Sequence, residues 1–147
     1  MAIRSAKGTL FKIGDGASPE VFSTVAQMRS ISGPSATGVK QDITTHSTSG
    51  NWMESAVVLL DPGTIGFPAN YDSAEATHAF TTGIWNKFIN LTPFNSVVDF
   101  PSTIGYLYQR VYTMGHSFDA PVDNILGVNF EFAITGAITA TNGASPY

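Results

Sequence analysis

Residues 126–135 read Leu126-Gly127-Val128-Asn129-Phe130-Glu131-Phe132-Ala133-Ile134-Thr135. The large apolar side chains Leu126, Val128, Phe130, Phe132 and Ile134 alternate with small or polar residues. A period of two puts successive side chains on opposite faces, so this is a strand with one face in a core and the other outside it. Asn129 and Glu131 then face away from Phe130 and Phe132. The same parity resumes at Ile138, after Gly136, which predicts that the strand continues past the glycine or bulges there. Residues 142–147 read as a tail.

Working upstream, Ile104, Tyr106, Tyr108, Arg110, Tyr112 and Met114 share one parity in a β-prone run over 104–114. Asp119, Pro121, Asp123 and Asn124 between the two runs favour a tight reversal, so the runs should pair antiparallel. A first hairpin is expected around Gly14-Asp15-Gly16, flanked by residues 8–13 and 21–31. A further strand is suggested by Val57, Leu59, Gly63, Ile65 and Phe67, with Asp61-Pro62-Gly63 bending or ending it partway. Asp72-Ser73-Ala74-Glu75 has the form of a capping box, which predicts a helix over 72–80 stopped by Gly83. Trp85, Lys87, Ile89 and Leu91 then suggest a strand over 85–91. Residues 33–55, rich in Gly, Ser and Thr and without clear period, read as a long loop. The predicted fold class is mainly β: a β-sandwich or barrel with one short flanking helix and that loop.

Composition narrows the function. The chain of 147 residues is 43% hydrophobic, enough for one domain with one core. Only 12% of residues are charged, about half the usual share, as in a β-rich protein whose surface is covered by other copies of itself. The formal charge of −4 and the scatter of Arg4, Lys7, Lys12, Arg29, Lys40, Lys87 and Arg110 disfavour specific nucleic-acid binding and attraction to an anionic membrane. With no Cys, disulfides, thiolate nucleophiles and Cys-based zinc sites are excluded. Residues 1–7 are polar and the longest apolar run is 56–60, so a protein made and kept in the cytosol is expected unless a dedicated machine moves it.

No catalytic constellation is found. His46, His78 and His116 show neither an H-x-H nor an i, i+4 spacing, and no G-x-S-x-G elbow frames a serine. Gly14 and Gly16 lack the third glycine of a dinucleotide loop and sit between strands, where a turn is the simpler reading. The tyrosines Tyr106, Tyr108 and Tyr112 suit a subunit interface better than base stacking, because only Arg110 is interleaved with them. No cofactor is expected, no metal site and no enzymatic activity.

The order of several motifs resembles siphophage tail tube proteins. Gly8 to Gly16 is followed by Pro19-Glu20-Val21-Phe22 and Arg29-Ser30-Ile31, then Asp42-Ile43-Thr44-Thr45-His46 and Trp52-Met53-Glu54. Leu60 to Ile65, Asp72 to Phe80, Ala120-Pro121-Val122-Asp123 and Thr135-Gly136-Ala137-Ile138 complete the series, which covers nearly the whole chain. Thr92-Pro93-Phe94-Asn95 departs from the pattern, where a glycine-containing turn is expected.

The resemblance implies a virion structural protein, assembled in the host cytoplasm into six-fold rings that stack into a tail tube for DNA delivery. Its partners would be copies of itself, with tape-measure and terminator or tip proteins at the ends, and DNA would traverse the lumen without specific binding. The expected inter-subunit or ring-stacking loop is 33–55, with Lys40, Asp42, Thr44, His46, Trp52 and Glu54 as contacts. The expected lumen wall is the last hairpin, through Tyr106, Tyr108, Arg110, Asn129 and Glu131. An acidic balance would repel passing phosphates. The alternatives are a tube protein of a contractile secretion-type apparatus, a monomeric β-sandwich binding module using Tyr106, Tyr108 or Trp52, and a small hydrolase using His46 or His78.

Overall fold

A computed structural model describes residues 3–101 and 103–147. Eight strands and one helix follow in the order β1 Leu10–Gly14, β2 Phe22–Thr24, β3 Thr37–Asp42, β4 Ser55–Asp61, β5 Thr64–Asn70, α1 Ile84–Ile89, β6 Phe94–Asp99, β7 Gly105–Asp119 and β8 Gly127–Asn142. Six of the strands form one antiparallel sheet in the order β2-β1-β6-β7-β8-β5, and β3 and β4 form a separate pair. The chain after β2 then runs along the outer edge of β5. There Arg29 N–H donates to Pro68 O at 3.0 Å, and Ser32 and Gly66 exchange two backbone hydrogen bonds of 2.8 Å. The sheet is thus curled far enough for β2 and β5, its two outermost strands, to be linked by a single segment, which is the barrel form of the expected architecture.

The core sits inside this curl. Val128, Phe130, Phe132 and Ile134 of β8 face inward as their alternation predicts, against Phe11, Ile65, Phe67, Phe94, Val98 and Val111. Phe132 is fully buried and its ring lies 5.2 Å from Phe11, 5.7 Å from Phe94 and 5.8 Å from Phe67. Aromatic pairs at these separations add directional attraction to the large apolar area each ring removes from water.

The final hairpin is longer than its apolar pattern. β7 and β8 stay in register from Asp119↔Gly127 to Gly105↔Asn142, with shifts between Tyr108 and Arg110 and between Thr113 and Gly115. The first shift faces the extra residues 136–138 on β8, where Gly136 takes φ +83°, so the strand both continues and bulges at that glycine. The first hairpin also forms, although β2 has only three residues before the chain leaves for β5. Pro62 and Gly63 end β4 outright, and β5 belongs to the other sheet.

Three expectations are corrected. The helix is not at 72–80. Asp72 Oδ1 does accept Ala74 N–H at 3.0 Å, but His78 turns inward, its Nδ1 accepting Asp72 N–H at 3.1 Å, and the segment is a series of irregular turns. Residues 85–91 are not a strand, since Ile84–Ile89 is the helix and Gly83 its N-cap, not a stop. Burying Ile84, with Trp85 and Phe88 half-buried beside it, satisfies the spacing of a helix face, and the period-two match was accidental. The helix ends in a Schellman arrangement: Thr92 N–H reaches Lys87 O at 3.0 Å and Leu91 N–H reaches Phe88 O at 3.3 Å. Leu91 takes the left-handed conformation, φ +53°, that the missing glycine was expected to supply, and this lets Phe94 and Asn95 begin β6.

The third correction concerns 33–55, which is not a loop throughout. Thr37–Asp42 is a strand paired with β4, in register from Thr37↔Asp61 to Asp42↔Ser55 with one bulge between Val39 and Lys40. Pairing extends further, because Ile43 N–H donates to Glu54 O at 3.0 Å. The result is a β-arm standing outside the core, and none of its residues belongs to the buried cluster.

Candidate functional site: the arm and the outer sheet face

The expected contact residues all fall on the arm. Lys40 and Asp42 lie in β3, Thr44 and Glu54 form the next rung, and His46 and Trp52 lie in the tip. Thr44 Oγ1 donates to Glu54 O at 3.1 Å and accepts Glu54 N–H at 2.8 Å, tying the two sides together. Asp42 Oδ1 accepts Thr44 N–H at 2.9 Å, and hydrogen bonds from Thr44 hold the Asp42 carboxyl below the usual carboxylate range.

Polar rungs make the arm a defined structure, yet its apolar side chains have no cover. Trp52 is 82% exposed, Leu60 79%, Met53 78% and Leu59 68%, and Val57, Val58, Ile43 and Val39 are also exposed. An isolated two-stranded ribbon is marginal in water, and this much exposed apolar surface, spread over both faces of the ribbon, marks a contact surface.

The five expected wall residues are likewise brought together. Tyr106, Tyr108 and Arg110 on β7 and Asn129 and Glu131 on β8 project from the side of the sheet opposite the phenylalanine core. They divide into an open half and a covered half. Glu131 lies between two glycines, paired with Gly66 on β5 and Gly115 on β7, in an open trough of about 460 Å³ walled by Ser32, Thr64, Ser117 and Asn129. Arg110 Nη1 donates to Asn95 Oδ1 at 3.3 Å, and Asn95 Nδ2 donates to the Glu20 carboxylate at 3.0 Å.

Tyr106 and Tyr108 are covered by a residue that the sequence did not single out. The Tyr147 ring packs 5.4 Å from Tyr108, 5.8 Å from Tyr106 and 4.8 Å from Phe22. Beneath it Lys12 Nζ donates to Tyr147 O at 2.7 Å and to Asp99 Oδ2 at 3.3 Å. Asn142 therefore closes β8, and residues 143–147 are a docked strap rather than a loose tail. No periodicity announces a lone tyrosine after a Gly-Ala-Ser-Pro stretch; the cross-strand set Lys12, Val97 and Tyr108 appears only once the register is known.

Two of the histidines are packing residues. His78 is 1% exposed and its ring stacks 5.9 Å from Tyr71; it lies 5.9 Å from Phe130 on one side, while His116 lies 4.8 Å from the same ring. Burial lowers the pKa of both below the ordinary 6.5, more than Asp72 and Glu75 can offset at His78. His46 is exposed in the arm tip. Among the described residues no group of three or more His, Asp or Glu is arranged to hold a metal ion, and no helix is long and apolar enough to cross a membrane.

No protein-family model matches the chain, and no curated protein matches it at a significant level. Solved structures do. A protein from the tail of an empty gene transfer agent particle, refined helically with C6 symmetry, superposes at a TM-score of 0.74 with 18% identity, over 95% of this chain and 99% of that one. A protein in the six-fold symmetrised baseplate of the anti-feeding prophage superposes at 0.68 with 8% identity, over 97% and 98%. The SPP1 tail tube protein superposes at 0.66 with 8% identity, over 93% of this chain and 77% of that one. At such identities the likeness speaks to architecture, and on that ground this chain has the fold of tail tube proteins, over nearly its whole length.

Proposed function

We propose that this protein is a structural subunit that assembles into six-fold rings stacked as a phage tail tube, a conduit for DNA and not an enzyme. The observation that carries the reading is the β3–β4 arm: a defined ribbon whose apolar side chains are exposed in the single chain, in a fold shared with proteins of C6 tail assemblies. An arm of this kind is stable and soluble in quantity only when another surface covers it, and a second copy of the chain is the simplest source. Lys40, Asp42, Thr44, His46, Trp52 and Glu54 are then contact residues between subunits or rings.

The final hairpin supplies part of the lumen wall in this reading. Because its other face is filled by the phenylalanine core, the face looking into the channel is the one carrying Arg110, Asn129 and Glu131. Tape-measure and terminator or tip proteins would bound the tube, placing the protein in the virion after assembly in the host cytoplasm. Likeness to the anti-feeding prophage protein supports, as the second reading, a tube subunit of a contractile apparatus.

Negative-stain electron microscopy of the purified protein, with light scattering over a concentration series, tests the reading. Hollow rings or tubes of uniform diameter are expected. A monomer at every concentration contradicts it.

A further inference from the structure

The strap lies over a distinct part of the outer sheet face. Beneath Tyr147 lies an apolar patch: Phe22, Tyr106, Tyr108 and Val97, the last fully buried although it lies outside the main core cluster. The patch sits at the β2–β1–β6 side of the sheet, away from the Glu131 trough at the β8–β5 side. Its cover is slight. Among the described residues no backbone hydrogen bond ties 143–146 to the sheet, and the strap is held by the Tyr147 ring and by Lys12, with Ala144 and Ser145 beside Gly8, Phe100 and Pro101. Gly143, at φ +99° with open space where a side chain would stand, gives it a free pivot. A segment with so few contacts opens at little cost compared with the strands under it.

We infer that residues 143–147 are a removable cover over a subunit-joining surface, closed in the free subunit and lifted when a second copy takes the patch. Two features select a second copy as the occupant. The patch adjoins β2, whose outer edge has no strand partner among the described residues, so a neighbour's strand can extend the sheet there. The same chain also carries, on its arm, uncovered apolar side chains suited to aromatic contacts. Lys12 sets the closed state by holding Tyr147 O and Asp99 together. The inference rests on the tube-subunit reading and adds to it a brake on premature assembly.

The test compares the full-length chain with a chain ending at Asn142 and with Tyr147→Ala, each checked for fold by circular dichroism. Assembly is followed by light scattering at matched concentrations, and the products are viewed in negative stain. The shortened chain is expected to reach the same rings or tubes with a lag several-fold shorter, and Tyr147→Ala to move in the same direction. An equal or longer lag, or amorphous aggregate in place of rings, overturns the cover while the tube reading stands on the full-length result. If neither chain assembles at any concentration, both fall.

Discussion

The β7–β8 hairpin and the β3–β4 arm are built from the same backbone pattern and have opposite relations to water. Both are antiparallel ladders interrupted by a bulge. In β8 the alternate residues Val128, Phe130, Phe132 and Ile134 are buried, whereas every residue of β3 and nearly every residue of β4 is exposed, including Leu59 and Leu60. Each ladder hydrogen bond makes a similar, modest net contribution in both, because the unfolded chain bonds to water in its place. What separates them is where the apolar side chains find cover: the barrel within its own chain, the arm only in another.

Single substitutions should expose this division. The largest effect on the subunit is expected from Phe132→Ala, which leaves a cavity among Phe11, Phe67 and Phe94 and should cost about 3–5 kcal/mol, read as a lower denaturant midpoint. Leu60→Ser on the arm should change the subunit's stability by no more than about 0.5 kcal/mol, yet prevent ring or tube formation in the same preparations. If Leu60→Ser unfolded the subunit, the arm would be part of its stable core after all.

At the junction of the two regions, Gly63 has φ +76° and a Cβ there would collide with the backbone of Ser35. Gly63→Ala is expected to cost more than about 1 kcal/mol by calorimetry and to loosen the base of the arm. An unchanged transition temperature would mean that arm and barrel are not rigidly joined at this point.

Between pH 7 and 5 acid should act on the barrel. His78 and His116 have folded-state pKa values below the ordinary 6.5, so the unfolded chain binds more protons as pH falls below that value. Their contribution is complete above about pH 6.5 and is lost progressively as pH drops toward the folded values. Denaturant midpoints measured between pH 7 and 5 should fall, and less steeply in His116→Phe. A midpoint rising with acidity would contradict the burial of these rings.

How much was legible beforehand follows the same division. The alternation of Val128 to Ile134 announced its strand because one face meets a core, and Asp119 to Asn124 announced the reversal beside it. β3 was illegible because a ribbon wet on both faces has no reason to alternate, so Thr37–Asp42 passed for loop. The helix was misplaced because Asp72 and Glu75 carry a local capping signal while the decisive event, the inward turn of His78 against Phe130, is a tertiary contact. Lys40, Asp42, Thr44, His46, Trp52 and Glu54 nevertheless fall together on the arm, since they share one stretch of chain. Tyr147 escaped because its partners Lys12, Phe22 and Tyr108 are distant in sequence.

Hydrogen exchange, compared between free subunit and assembled material, tests most directly the claim that the arm is finished only by another copy. The amides of Phe94–Asp99 and Gly127–Asn142 should be protected in both states, and those of Thr37–Asp42 and Ser55–Asp61 only after assembly. Arm amides as protected in the free subunit as those of β6 and β8 would contradict the account.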